Sequence, residues 1–131
     1  MEEALKIYIQ FVEKFEQELT SKYKIPDNFW NKSNANFPKK GSTDSFKYSF
    51  HGAGCRVEKK GIVCEYDIAP LNENHIKFSP WKFFNFIETN PDLKKLSRED
   101  FELGLSILEK KRKISKVFIE GIETGVYQIH Q

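Results

Sequence analysis

Apolar residues near the start of the chain recur at three- and four-residue steps: Leu5, Tyr8, Phe11 or Val12, Phe15 and Leu19, with Glu and Lys between them. That is one face of a helix. The spacing predicts an amphipathic helix over residues 2–22, with Ile7 and Ile9 broadening its stripe and Pro26 standing beyond its end as a stop. From Phe46 to Ile68 the period falls to two. Phe46, Tyr48 and Phe50 alternate with Lys47 and Ser49, and Ile62, Cys64, Tyr66 and Ile68 alternate with Val63, Glu65 and Asp67. Both runs read as half-buried strands.

Between them, Cys55 and Val57 have the opposite parity to Phe46, Tyr48 and Phe50. One flat strand would put one of these sets in water, so a bulge or bend is expected at Gly52-Ala53-Gly54 to reset the face. The turn Glu58-Lys59-Lys60-Gly61 then joins two antiparallel strands. Read as a four-residue loop, it pairs Val57 with Ile62 and Cys55 with Cys64 and keeps the apolar residues on one face. A three-residue loop would set Cys55 opposite Glu65 and split the faces.

Three further elements follow from cap and turn residues. Ser79 is a good helix cap and Pro80 a good first residue, so a short helix is expected from Pro80 to about Thr89, with Trp81 and Phe84 as its inward stripe. Ser97 opens another helix, with acids in its first turn, a stripe of Phe101, Leu105 and Leu108, and Lys110, Lys111, Arg112 and Lys113 at its end. Val117 and Ile119, then Val126 and Ile129, suggest a C-terminal hairpin with Glu123-Thr124-Gly125 between its strands. Residues 24–45 read as a long ordered loop into which Phe29, Trp30 and Phe37 are embedded, and Ala69 to Asn74 as a second loop.

Composition changes the picture in three ways. With 131 residues and twelve Phe the chain has the material for one folded domain. A net charge of +2 is too small to argue for nucleic acid or a membrane surface. The N-terminus has acids where a secretory signal needs a basic region, and no apolar run reaches membrane-spanning length. A cytoplasmic protein with Cys55 and Cys64 as free thiols is therefore expected.

Candidate chemistry is sparse. His51 and Cys55, in the string HGAGC, could make a nucleophile–base pair, the basis for a small-enzyme reading. The plainer reading makes Cys55 a small core residue. His51, Cys55, Cys64 and His75 lack the short paired spacings of zinc modules, so neither metal nor cofactor is expected. The basic run from Lys110 to Lys116 could contact nucleic acid as a regulatory module, yet a solvated helix end accounts for it and no nucleic-acid motif accompanies it.

The run FHGAGC with Arg56 and Val57, the strand ending CEYDIA, and the helix start SPWKFFNF are similar to those of a family of small bacterial domains of unknown function, over roughly residues 46 to 130. Asp67 stands at the acidic strand end and Trp81 at the tryptophan of that pattern. The resemblance implies a small α+β domain. Such domains often resemble immunity proteins, which neutralise a toxin made by the same cell; the resemblance supplies no catalytic residue. The expected architecture is α+β, a small antiparallel sheet of three to five strands packed against three helices. The expected function is protein binding, with a cognate toxin as partner. Its contact surface would combine Phe29 and Trp30 with the acids Glu65 and Asp67 or with the basic group Lys110, Lys111, Arg112 and Lys113.

Overall fold

The computed structural model describes residues 1–25, 37–52, 54–68 and 76–130. Among them the elements run α1 (Glu2–Tyr23), β1 (Lys40–Ser42), β2 (Lys47–His51), β3 (Gly54–Lys59), β4 (Ile62–Ile68), β5 (Ile76–Phe78), α2 (Pro80–Thr89), α3 (Arg98–Lys110), β6 (Ile114–Ile119) and β7 (Ile122–Ile129). The strands form one antiparallel sheet in the order β1-β2-β3-β4-β5-β7-β6. The α+β class is as expected, but the sheet has seven strands rather than three to five. The additional β1 and β5 are three residues each, too short for a period of two to show in the sequence.

The glycine break is a hairpin, not a bulge. β2 and β3 pair antiparallel, with His51 opposite Gly54, Phe50 opposite Cys55 and Tyr48 opposite Val57. A two-residue connection joins positions of opposite parity on one face, so the parity switch that suggested a bulge is what a tight hairpin demands. Gly52, at φ +59, takes the left-handed conformation that such a turn needs.

The next hairpin also turns in two residues. Lys60 (φ 49) and Gly61 (φ 84) form its turn, the type I′ geometry that matches strand twist. Lys59 therefore faces Ile62, Val57 faces Cys64, and Cys55 faces Tyr66. The expected pairing of Cys55 with Cys64 is displaced by two residues, which preserves the face but not the neighbour. The C-terminal hairpin is also corrected. Its turn is Glu120 (φ 52) and Gly121 (φ 78). Glu123, Thr124 and Gly125 lie inside β7, where a bulge opposite Val117 is closed by the Thr124 hydroxyl donating to the Val117 carbonyl at 2.8 Å.

α1 lies on the apolar face of the sheet with Leu5, Tyr8, Val12, Phe15 and Leu19 buried, the stripe its spacing predicts. Phe15 packs against Phe46 and Tyr48 of the sheet. The end of α1 is tied down by Glu18, whose Oε1 accepts from the Thr43 hydroxyl at 2.8 Å and the Ser45 N–H at 2.9 Å.

The sheet has a gap at its centre. β5 pairs with β4 only at Ile68 and Asp67, so the side of β4 away from β3 is open from Val63 to Glu65. α2 runs along this edge, with Lys82 at Asp67 and Thr89 at Val63. The Thr89 hydroxyl accepts the Val63 N–H at 3.0 Å, and the Tyr8 hydroxyl donates to the Glu65 carbonyl. Two side chains thus complete a ladder that would otherwise leave backbone groups unpaired in the core.

Candidate functional site

Packing α2 against the β4 edge decides which of its side chains face inward. Lys82, Phe83, Phe86 and Ile87 are buried, and Tyr8 meets Phe83 and Phe86 edge-on at 5.4 and 5.2 Å. Lys82 is admitted because its ammonium reaches Asp67 Oδ1 at 2.7 Å, a paired charge rather than a bare one. The helix is thereby rotated so that Trp81 points away from the core and is 58% exposed. The expectation that Trp81 anchors its helix in the core is overturned.

Trp81 stands at the mouth of a cleft of about 330 Å³ between α2, α3 and β7. Phe84 and Phe101, edge to face at 5.0 Å, lie along it, with Leu105 beside them. Tyr127 of β7 lines another side and stacks on Phe78 at 5.7 Å. Burial, with Glu109 nearby, raises the Tyr127 hydroxyl above its ordinary range, so it stays neutral. Arg98, in the first turn of α3, holds its guanidinium 5.9 Å from the Phe84 ring centre. It makes no ion pair among the described residues. Ser97 caps this helix as expected, accepting the Asp100 N–H at 3.0 Å, and so fixes the turn that carries Arg98. Arg98, Glu102 and Ser106 line the cleft together with its aromatic and aliphatic side chains, the mixed composition usual for a recognition site.

The residues expected from the sequence are scattered by comparison. Phe29 and Trp30 lie outside the described residues, as do the Ala69–Asn74 loop and His75. Glu65 pairs with Arg56 at 2.9 Å and Asp67 with Lys82, so both acids are engaged within the chain. Asp67 Oδ2 is buried without a hydrogen-bond partner among the described residues. Lys110, Arg112 and Lys113 are exposed at the turn after α3, while Lys111 pairs with Glu2. These groups do not converge on one site. A wider cleft of about 430 Å³ along α1 has a charged wall of Glu2, Glu3, Glu13, Lys6 and Lys113.

The structure also separates His51 from Cys55. Cys55 lies in the core, 1% exposed, on the sheet face covered by α1. His51 is exposed on the opposite face, beside Gly54. Burial raises the thiol of Cys55 far above its ordinary range and raises that of Cys64 likewise. Neither sulfur is a thiolate at neutral pH, and the imidazole cannot reach Cys55 through the sheet. Both cysteines are free and buried. No cluster of three or more His, Cys, Asp or Glu side chains suited to a metal occurs among the described residues, and no helix there is long and apolar enough to cross a membrane.

Arg98, Phe84, Phe101 and Tyr127 were not legible as a site in the sequence. They come from three elements, and only the rotation of α2 imposed by Lys82 and Asp67 opens a cleft among them. The chain matches no curated protein and no solved structure at a significant level. A family model does match, over residues 1–129, and so takes in α1 as well as the strand and helix motifs from Phe46 onward. The chain belongs to the family described as Domain of unknown function (DUF6896).

Proposed function

We propose that this protein acts by binding another protein and that the α2–α3 cleft is the point of contact. The observation that carries this reading is Trp81, 58% exposed at the mouth of an apolar cleft beside Tyr127 and Arg98. Tryptophan, tyrosine and arginine are the residue types on which interface energy concentrates, above all where they surround a pocket that a partner can fill and dry. Arg98, with its guanidinium 5.9 Å from the Phe84 ring centre, is positioned to take a carboxylate or backbone carbonyl from the partner.

Neutralisation of a toxin is the specific form of this activity that we propose. It asks for a rigid scaffold and a matched surface, and for no catalytic group. The exposed Lys110, Arg112 and Lys113 would then speed encounter with an acidic partner surface. Glu65 and Asp67 contribute by holding β3, β4 and α2 together rather than by touching the partner.

The test is recovery of the partner from the source cells with the wild-type chain and with Trp81→Ala and Arg98→Glu, each first matched for melting temperature. A protein held by the wild type and lost from both variants is the expected result. Retention of the same protein by both variants would remove the cleft from consideration. For toxin neutralisation, the recovered protein should arrest growth when expressed alone, and the wild-type chain should relieve the arrest. A partner harmless by itself would end that form of the proposal.

A further inference from the structure

α3 turns two rows of side chains to the cleft. Arg98, Glu102 and Ser106 stand four residues apart along one row, and Phe101 and Leu105 along the next. Successive members of a row are ~6 Å apart along the helix axis. Phe101 and Leu105 are buried, whereas Arg98 and Glu102 are exposed. The polar row therefore carries a cation and an anion one turn apart beside an apolar row.

Neither charge has a partner among the described residues. The ion pairs there are Arg56–Glu65, Lys82–Asp67, Lys111–Glu2 and Lys116–Glu123, and Arg98 and Glu102 are in none of them. They do not pair with each other either, although they have the spacing of a helical ion pair. Arginine N-terminal to glutamate is the poorer order for such a pair. The Arg98 guanidinium lies instead 5.9 Å from the Phe84 ring centre, within cation–π reach. The Ser106 hydroxyl donates to the Glu102 carbonyl at 3.3 Å, which leaves its oxygen as an acceptor. Glu99 and Asp100, the acids of the first turn, are not in the lining of the cleft.

We infer that the partner presents an amphipathic helix in which an acid and a base, four residues apart, border a large apolar side chain, the acid meeting Arg98 and the base Glu102. This deepens the reading above and rests on the cleft being the point of contact. Charge complementarity is the argument. A partner helix repeats its side chains at the same ~6 Å step, so one such pair answers both charges at once while the neighbouring apolar stripe turns into the cleft. An extended segment matches the spacing only with residues i and i+2, and the residue between them then points away. At about 330 Å³ the cleft is at the small end of ligand pockets, so it takes side chains from that stripe rather than the helix itself. Trp81 stands beside them from α2.

Random peptides of about three helical turns, displayed as a library and panned on the wild-type chain, are the probe. Enriched sequences are expected to carry the acid, the base and the apolar residue in that arrangement, and to lose binding to Trp81→Ala. With one such peptide, Arg98→Glu should weaken binding about tenfold or more, and replacing the peptide's acid by Lys should restore it. Glu102→Lys should weaken it likewise, with restoration when the peptide's base is replaced by Glu. Both residues are exposed, and recovery of binding by the altered peptide shows in each case that the variant is folded. Peptides that need Trp81 but ignore both charge reversals would overturn the inference and leave the cleft as a contact site. Peptides that bind Trp81→Ala as well as the wild type would place recognition outside the cleft and defeat both readings. If no peptide is enriched the inference fails, and recovery of the partner from cells then judges the cleft by itself.

Discussion

Tyr8→Phe isolates the hydroxyl that closes the gap in the sheet. The ring would remain among Phe78, Phe83 and Phe86, with centroids now 5.2–5.8 Å away, and only the bond to the Glu65 carbonyl would be lost. That carbonyl sits on the open side of β4 beneath α1 and α2, where Tyr8 itself is wholly buried. Leaving a buried acceptor unmade costs about 1–3 kcal/mol, more than the bond itself contributes net. Thr89→Val is the companion change, nearly isosteric, and it strips the Val63 N–H of its acceptor at a similar cost. For a domain of this size each kcal/mol shifts the melting temperature by roughly 3–5 °C. Urea titration should show each variant with a lower midpoint and an unchanged slope. The double variant should lose about 0.5–1 kcal/mol less than the sum, because water admitted by one opening can serve the other. Losses below ~0.5 kcal/mol for both single variants would mean that the ladder gap is not sealed by these side chains, and the account of α2 placement would fail with it.

Trp81→Ala should change stability by less than about 1 kcal/mol, far from the ~3–5 expected of a core aromatic, and a large drop in melting temperature would return the residue to the core. Cys55 and Cys64 should react with a thiol reagent at pH 8 only as fast as the chain unfolds, whereas rapid labelling of the native protein would contradict their burial. Burial raises both thiols and the Tyr8 and Tyr66 hydroxyls in the folded chain, so their contribution is complete below the unfolded thiol range near ~8.5 and is lost as pH rises above it. Stability should therefore fall between about pH 8.5 and 11, and Cys64→Ala should flatten the first part of that fall. Despite a desolvation penalty, the Thr43 and Ser45 bonds hold Glu18 below the ordinary carboxylate range. Its contribution is present above about pH 4.5 and lost as pH falls through the folded value, so Glu18→Gln should be more destabilising at pH 7 than in acid, the difference shrinking as pH falls below about 4.5, by melting temperature.

The periodicity of the sequence determined the elements that are long enough to repeat. α1 carries about four turns of one stripe, and burying Leu5, Tyr8, Val12, Phe15 and Leu19 follows from that pattern alone. The Ser97 cap, Pro80 in the first turn of α2 (where the Ser79 side chain makes no capping bond) and the glycines at the turns mark boundaries by local backbone chemistry, which needs no tertiary context. The face of each strand in β2, β3 and β4 was legible for the same reason. Register was not. A two-residue and a four-residue loop keep Cys55 on the same face, and only the left-handed pair Lys60 and Gly61 selects Tyr66 as its neighbour. β1 and β5 are legible only as partners of longer strands, because three residues do not establish a period.

The site belongs to tertiary structure throughout. Within α2, Trp81 with Phe84 and Phe83 with Phe86 have the same helical spacing, so pattern cannot decide which pair faces inward. The decision is electrostatic and geometric: Asp67 at the end of β4 draws Lys82 inward, and the open β4 edge takes Thr89. Those two anchors fix the rotation of the helix, bury Phe83 and Phe86, and leave Trp81 over a cleft shared with α3 and β7. A charged residue drawn into the core by its partner is what periodicity of apolar residues cannot register, and here that one pair sets where the cleft and its exposed Trp81 lie.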